Sequence, residues 1–106
     1  MREGAGAARF WRLAAPWLDT GAAERGTIMG RPCLRVSGEF VAMPHSETGD
    51  LIVKLTRDRV DELVAGGSGR PFGPGNKVFR EWLAVPQGDD ELWTGLLSEA
   101  IRARTP

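Results

Sequence analysis

The chain has 106 residues, 42% of them hydrophobic and 26% charged. That is enough for one hydrophobic core and too little for two, and it excludes disorder as the default state. Fourteen basic residues cancel fourteen acidic ones, which argues against the basic excess of a dedicated non-specific nucleic-acid binder.

Balance hides segregation. Residues 25–80 carry nine basic and six acidic groups, net +3, whereas 81–106 carry two and five, net −3. The single cysteine, Cys33, can form no intramolecular disulfide. No apolar run is long enough for a signal peptide or for a membrane span of roughly 20 residues. The expectation is a cytoplasmic protein with no membrane partner, built as one domain over 1–106 with a flexible start at 1–7.

Phe10, Leu13, Ala14, Trp17 and Leu18 recur at helical spacing and predict an amphipathic first helix. Pro16 is expected to bend or end it near Ala15, and Gly21 to close the segment. From Gly26 the period becomes two, giving short strands at 27–29, 32–36 and 39–43, with a Ser37-Gly38 hairpin between the last two. A polar turn at 45–50 leads into a strand at 51–55. Thr56 caps the next helix, whose buried stripe is Val60, Leu63 and Val64, and Gly66-Gly67 stops it. Residues 66–76, rich in glycine and proline, read as a loop, and 78–85 as a long strand.

Asp89-Asp90-Glu91 opens a last helix with the apolar face Leu92, Trp93, Leu96, Leu97, Ala100 and Ile101. The order α-β-β-β-β-α-β-α predicts an α+β fold. Its antiparallel sheet has about five strands, with helices packed mainly on one face.

Few residues suggest chemistry. His45 stands beside Ser46 and Glu47, but neighbours on a turn project in different directions, whereas a triad needs all three groups within mutual hydrogen-bond reach. His45, Glu47 and Asp50 make a poor metal site, because a closed site takes about four suitable ligands. Cys33 lies inside a strand and reads as buried filler, although Arg31 and Arg35 flank it and could lower its pKa. The run Gly66-Gly67-Ser68-Gly69-Arg70 follows a helix, whereas nucleotide loops follow a strand and open a helix. The acidic triplet at 89–91 reads as capping rather than cation binding. The sequence therefore implies no catalytic residue, no metal and no cofactor.

One constellation remains. Alternation that turns Leu34, Val36, Leu51, Val53, Leu55, Phe79, Leu83 and Val85 inward sends Arg35, Lys54, Arg80 and Trp82 to the other face of the sheet. Cations beside an aromatic surface can hold phosphate and stack a base. The competing reading places Trp82 under another element or a partner subunit, with the cations paired to Glu39 or Glu81.

The run from Gly26 to Phe40 (Gly-Thr-Ile-Met-Gly-Arg-Pro-Cys-Leu-Arg-Val-Ser-Gly-Glu-Phe) resembles the MmcQ/YjbR family of small bacterial proteins and, more loosely, the N-terminal domain of TfoX-type competence regulators. The likeness continues through residues 49–55, 59–63 and 79–85 and covers roughly 8–103. It implies an α+β domain with an antiparallel sheet in a double-wing arrangement, and carries no catalytic or cofactor residue. TfoX-type regulators usually have a further C-terminal domain; with the chain ending at Pro106, a competence role is not expected.

Three expectations follow. The first is a non-enzymatic module that binds nucleic acid weakly through Arg35, Lys54, Arg80 and Trp82, with Arg57, Arg59, Arg70 and Lys77 as auxiliary phosphate contacts. The second is a protein-interaction or homodimeric module with Trp82 at the interface. An enzyme using Cys33 ranks last.

Overall fold

A computed structural model describes residues 5–73 and 79–105. The first helix, α1 (Ala5–Thr20), takes in residues 5–7 and runs through Pro16 without ending there. Proline removes one helical hydrogen bond, at about 3 kcal/mol in a helix interior. Burial of Phe10 and Ala14, with Leu13, Trp17 and Leu18 packed on the same core, holds the turns on either side. Gly21, at φ 80°, closes the helix by donating to the Leu18 carbonyl at 3.2 Å.

Three antiparallel connections follow. Strands β1 (Glu24–Ile28) and β2 (Arg31–Val36) are joined by Met29-Gly30, and β2 joins β3 (Glu39–Pro44) through Ser37-Gly38. Both residues of each turn have positive φ, the pattern that matches the right-handed twist of paired strands. The first strand thus ends before Met29, which its apolarity had assigned to strand 27–29. A polar turn then leads to β4 (Leu51–Lys54). There His45 N–H donates to the Asp50 carbonyl at 2.8 Å, and Gly49 N–H to the His45 carbonyl at 3.0 Å.

Helix α2 (Arg57–Ala65) is capped by the Thr56 hydroxyl, which accepts from Arg59 N–H at 3.2 Å. Its threonine cap and glycine stop agree with the sequence. The glycine-rich stretch after it is not all loop: Arg70–Phe72 form a short strand, β5, paired with β6 (Phe79–Val85). Pro71 is accommodated because β5 is an edge strand and its missing N–H leaves no ladder bond unmade in the interior. Helix α3 (Asp90–Arg104) ends the fold, with the Asp89 carboxylate accepting from Leu92 N–H at 3.0 Å.

The result is α+β, with one six-stranded antiparallel sheet in the order β1-β2-β3-β4-β6-β5. All three helices contribute to one core. Phe10, Val60, Trp93 and Leu97 pack there with Leu34, Val41, Leu51, Val53, Leu83 and Val85 of the sheet. Trp93 is fully buried and its indole N–H donates to the Pro86 carbonyl at 3.0 Å, so its one polar atom is satisfied.

The helix-free face is not a solvated plane. Cys33, Phe40, Met43, Ile52 and Ala84 form a second apolar cluster there, with Ile28, Phe72 and Trp82 packed against it. Ile28 comes from one edge of the sheet and Phe72 from the other, yet both line one cavity. The sheet curls over this face until its edges approach. On the β5 side an ion pair reaches across β6: Arg70 of β5 meets the nearly buried Asp50 carboxylate, just before β4, at 2.7 Å.

Candidate functional site

The four residues singled out from the sequence can now be placed. Lys54 is the cross-strand partner of Trp82, so both project to the helix-free side. Arg35 stands opposite Phe40, whose ring stacks on Trp82 at 4.6 Å between centroids and 17° between planes. Arg80 lies two residues before Trp82 on β6 and is exposed, but the β6 irregularity that turns Phe79 to the Trp82 side falls between Phe79 and Trp82, so alternation does not fix the face of Arg80. Register places Lys54 beside Trp82 and Arg35 opposite Phe40, while Arg80 is exposed close by on β6.

Trp82 does not offer a stacking platform there. Phe40 reaches it from the β3 side, and Phe72 from the β5 side with rings nearly parallel at 5.8 Å and 4°. Phe79 meets it edge-on at 5.1 Å. Phe79 was expected to point inward with Leu83. It belongs instead to the Trp82 side, where its pairing with Phe72 follows a register shift that carries β6 from Leu83 to Phe79 while β5 advances only from Pro71 to Phe72. An indole lined by rings from both neighbouring directions has little free π-face for a base. The half-buried Trp82 acts as the roof of the second cluster, beneath which Ile52 and Cys33 are fully excluded from solvent.

The cations differ in what holds them. Arg35 donates to the Thr27 and Gly38 carbonyls, each at 2.6 Å, and its stem lies over Gly26, where a Cβ would come 2.6 Å from Arg35 Cδ. Its guanidinium thus ties β1 to the β2–β3 turn before it can serve any ligand. Lys54 and Arg80 form no ion pair among the described residues, and neither Glu39 nor Glu81 pairs with a cation on this face.

The auxiliary cations do not join them. Arg59 is engaged by Glu62 and by Glu99, the latter at 3.0 Å, on the helical side of the sheet. Arg57 begins the same helix, Arg70 is held by Asp50, and Lys77 lies outside the described residues.

The reactive candidates resolve on geometry. Burial pushes the Cys33 thiol above its ordinary value, while the neighbouring Arg35 charge opposes this only in part. A thiol kept protonated under an apolar roof is filler, as the sequence suggested, and not an activated nucleophile. His45 Nδ1 accepts from both Glu47 N–H and Thr48 N–H, at 3.2 Å each. That assigns the ring proton to Nε2 and commits the Nδ1 lone pair to shaping the turn. Its ring meets Phe72 edge-on at 5.8 Å.

Sequence reasoning missed Phe40 and Phe72, the two rings that enclose Trp82. Phe72 carried no signal inside a glycine-rich stretch. Phe40 could have been found from its place after the Ser37-Gly38 turn, where hairpin register sets it opposite Arg35. Among the described residues no group of three or more His, Cys, Asp or Glu side chains could hold a metal ion, and no helix is long and apolar enough to cross a membrane. No family model, curated protein or solved structure matches the chain.

Proposed function

We propose that this chain is a non-enzymatic cytoplasmic binding domain of the MmcQ/YjbR-like kind, contacting the phosphate backbone of nucleic acid weakly through its helix-free sheet face. The observation that carries the reading is Lys54, opposite Trp82 on that face, and the exposed Arg80 close by on β6, neither with a carboxylate partner among the described residues. Phosphate contact by free cations is electrostatic and sequence-independent, and needs no base readout. The enclosed indole restricts the role of Trp82 to shaping the surface on which the cations stand. The same enclosure weakens the alternative of Trp82 as an interface anchor, since its rings already pack on one another within the chain.

Titration of labelled duplex and single-stranded DNA at several salt concentrations tests this. Each duplex phosphate neutralised contributes about 0.9 to the slope of log affinity against log salt. The Lys54→Ala/Arg80→Ala double variant should therefore bind more weakly and flatten the slope by about 1.8. No binding at tens of micromolar protein, or binding indifferent to salt and to both substitutions, refutes the proposal.

A further inference from the structure

We infer that the tip of the β1–β2 hairpin is a self-association surface, on which two copies of the chain pack about a two-fold axis with Met29 of each entering a cavity of the other. This does not rest on the phosphate reading and uses other residues.

The argument begins with an outlier. Met29 is 79% exposed, the one large hydrophobic exposed in this way among the described residues, and its φ is 51°. That position of a two-residue turn favours asparagine, aspartate or glycine, because an ordinary side chain in the left-handed region crowds its own backbone. Solvent and backbone both disfavour methionine here. Residues held against local preference are where function is to be sought, and methionine is a side chain that adapts to irregular apolar hollows.

Beside it lies such a hollow. Ile28, Met43, Pro44 and Phe72 form an apolar floor and wall, with Arg31, His45 and Glu47 at the margin, around a cavity of about 130 Å³. That approaches the ~150 Å³ of a dry cavity that admits benzene, and an unbranched thioether is slimmer than a six-membered ring. Met29 stands at the edge of this cavity and leaves most of itself in water.

Within the chain Met29 leaves the hollow beside it unfilled, and two copies related by a two-fold axis can each fill the other's. Isologous contacts require a patch complementary to itself. The charges meet that condition as well. Arg31 and Glu47 border the same cavity, neither forms an ion pair within the chain, and the axis that exchanges the methionines sets Arg31 against Glu47 of the partner subunit. Both links are made twice. A hairpin tip is smaller than the roughly 800 Å² per partner of a standard stable interface, so the dimer is of the weak, concentration-dependent class.

Sedimentation equilibrium of the full chain from micromolar to millimolar concentration should show monomer–dimer exchange. Met29→Asn keeps the turn, since Asn-Gly suits it better than Met-Gly, and should weaken dimerisation about tenfold or more. Arg31→Glu and Glu47→Arg should each weaken it, whereas an equimolar mixture of these two variants should associate, because each mixed pair restores both charge contacts. A strict monomer at millimolar concentration overturns the inference and leaves the tip to an unlike partner. So does a dimer unchanged by Met29→Asn, or a mixture that associates no better than its separate components.

Discussion

Replacing Ile52 with alanine asks whether the helix-free side of the sheet is a true core. Ile52 is fully buried there with Cys33, Phe40, Met43 and Ala84, under rings instead of a helix. The substitution deletes three carbon groups, worth about 0.8 kcal/mol each in transfer from water, or about 2.4 kcal/mol. The hollow left beneath Trp82 and Phe40 adds about 1 kcal/mol, because a sheet backbone collapses only partly. The expected loss is therefore about 3–4 kcal/mol, a large share of the total stability of a small domain. Urea unfolding should show a lower midpoint at unchanged slope, and the melting temperature should fall by roughly 4–8 °C per kcal/mol. Ile52→Val should lose only about 1 kcal/mol. A loss below about 1 kcal/mol for Ile52→Ala would mean that solvent washes this face, and the account of a curled, filled sheet would fail.

Other outcomes follow from the same geometry. A Cβ at Gly6 would overlap the backbone of Gly49 in the β3–β4 turn, whereas one at Gly95, inside α3, meets nothing within 4 Å. Gly6→Ala should destabilise by more than about 1 kcal/mol and Gly95→Ala should stabilise by about 0.5–1 kcal/mol, both read from urea midpoints. Burial raises the Cys33 pKa in the folded state, so the unfolded chain releases this proton first as pH rises. The stabilising contribution is complete below the ordinary thiol value and is lost as pH climbs from there through the folded value. Unfolding free energy should thus decline with pH in the alkaline range, and the decline should shrink in Cys33→Ala. Thiol labelling at mildly alkaline pH should wait on opening of the sheet; rapid labelling of native protein would contradict the burial. Removing the Thr56 hydroxyl with Thr56→Ala should cost about 1 kcal/mol through the lost bond from Arg59 N–H.

The sequence made the helices and most strands legible because each has a local cause. Thr56 and Asp89 announce their helices, Gly66-Gly67 ends one, and Ser37-Gly38 demands a hairpin. Met29 hid the earlier turn, since nothing in an apolar residue signals positive φ. Pro16 was read as a breaker because its local effect is visible in sequence, whereas the packing of Trp17 and Leu18 that outweighs it is tertiary. Strand β5 escaped for a related reason: three residues at an edge have no periodicity to detect. The placing of Lys54 beside Trp82 followed from alternation, whereas the break in β6 that turns Phe79 to the same side, and with it the face of Arg80, could not be read that way. What alternation could not supply was the curl, which depends on contacts between strands distant in the chain, such as Arg70 with Asp50 and Phe72 with Trp82. A reading limited to single strands sees a flat platform where the folded chain has a lined hollow.

Apolar layers on both sides of one sheet change how strand alignment is specified. In β4, Leu51, Ile52 and Val53 are buried in succession, so sliding this strand by one residue would exchange aliphatic for aliphatic and expose little that is greasy. The usual penalty for such a slip, burial of polar groups against exposure of apolar ones, is largely absent from its middle. Alignment is dictated from the flanks instead. Asp50 must meet Arg70, Gly49 must take φ 77° against Gly6, and Lys54 must keep its ammonium in reach of water. Changes at these three positions should yield mispaired sheets, whereas changes among the aliphatics between them should yield correctly paired but looser ones.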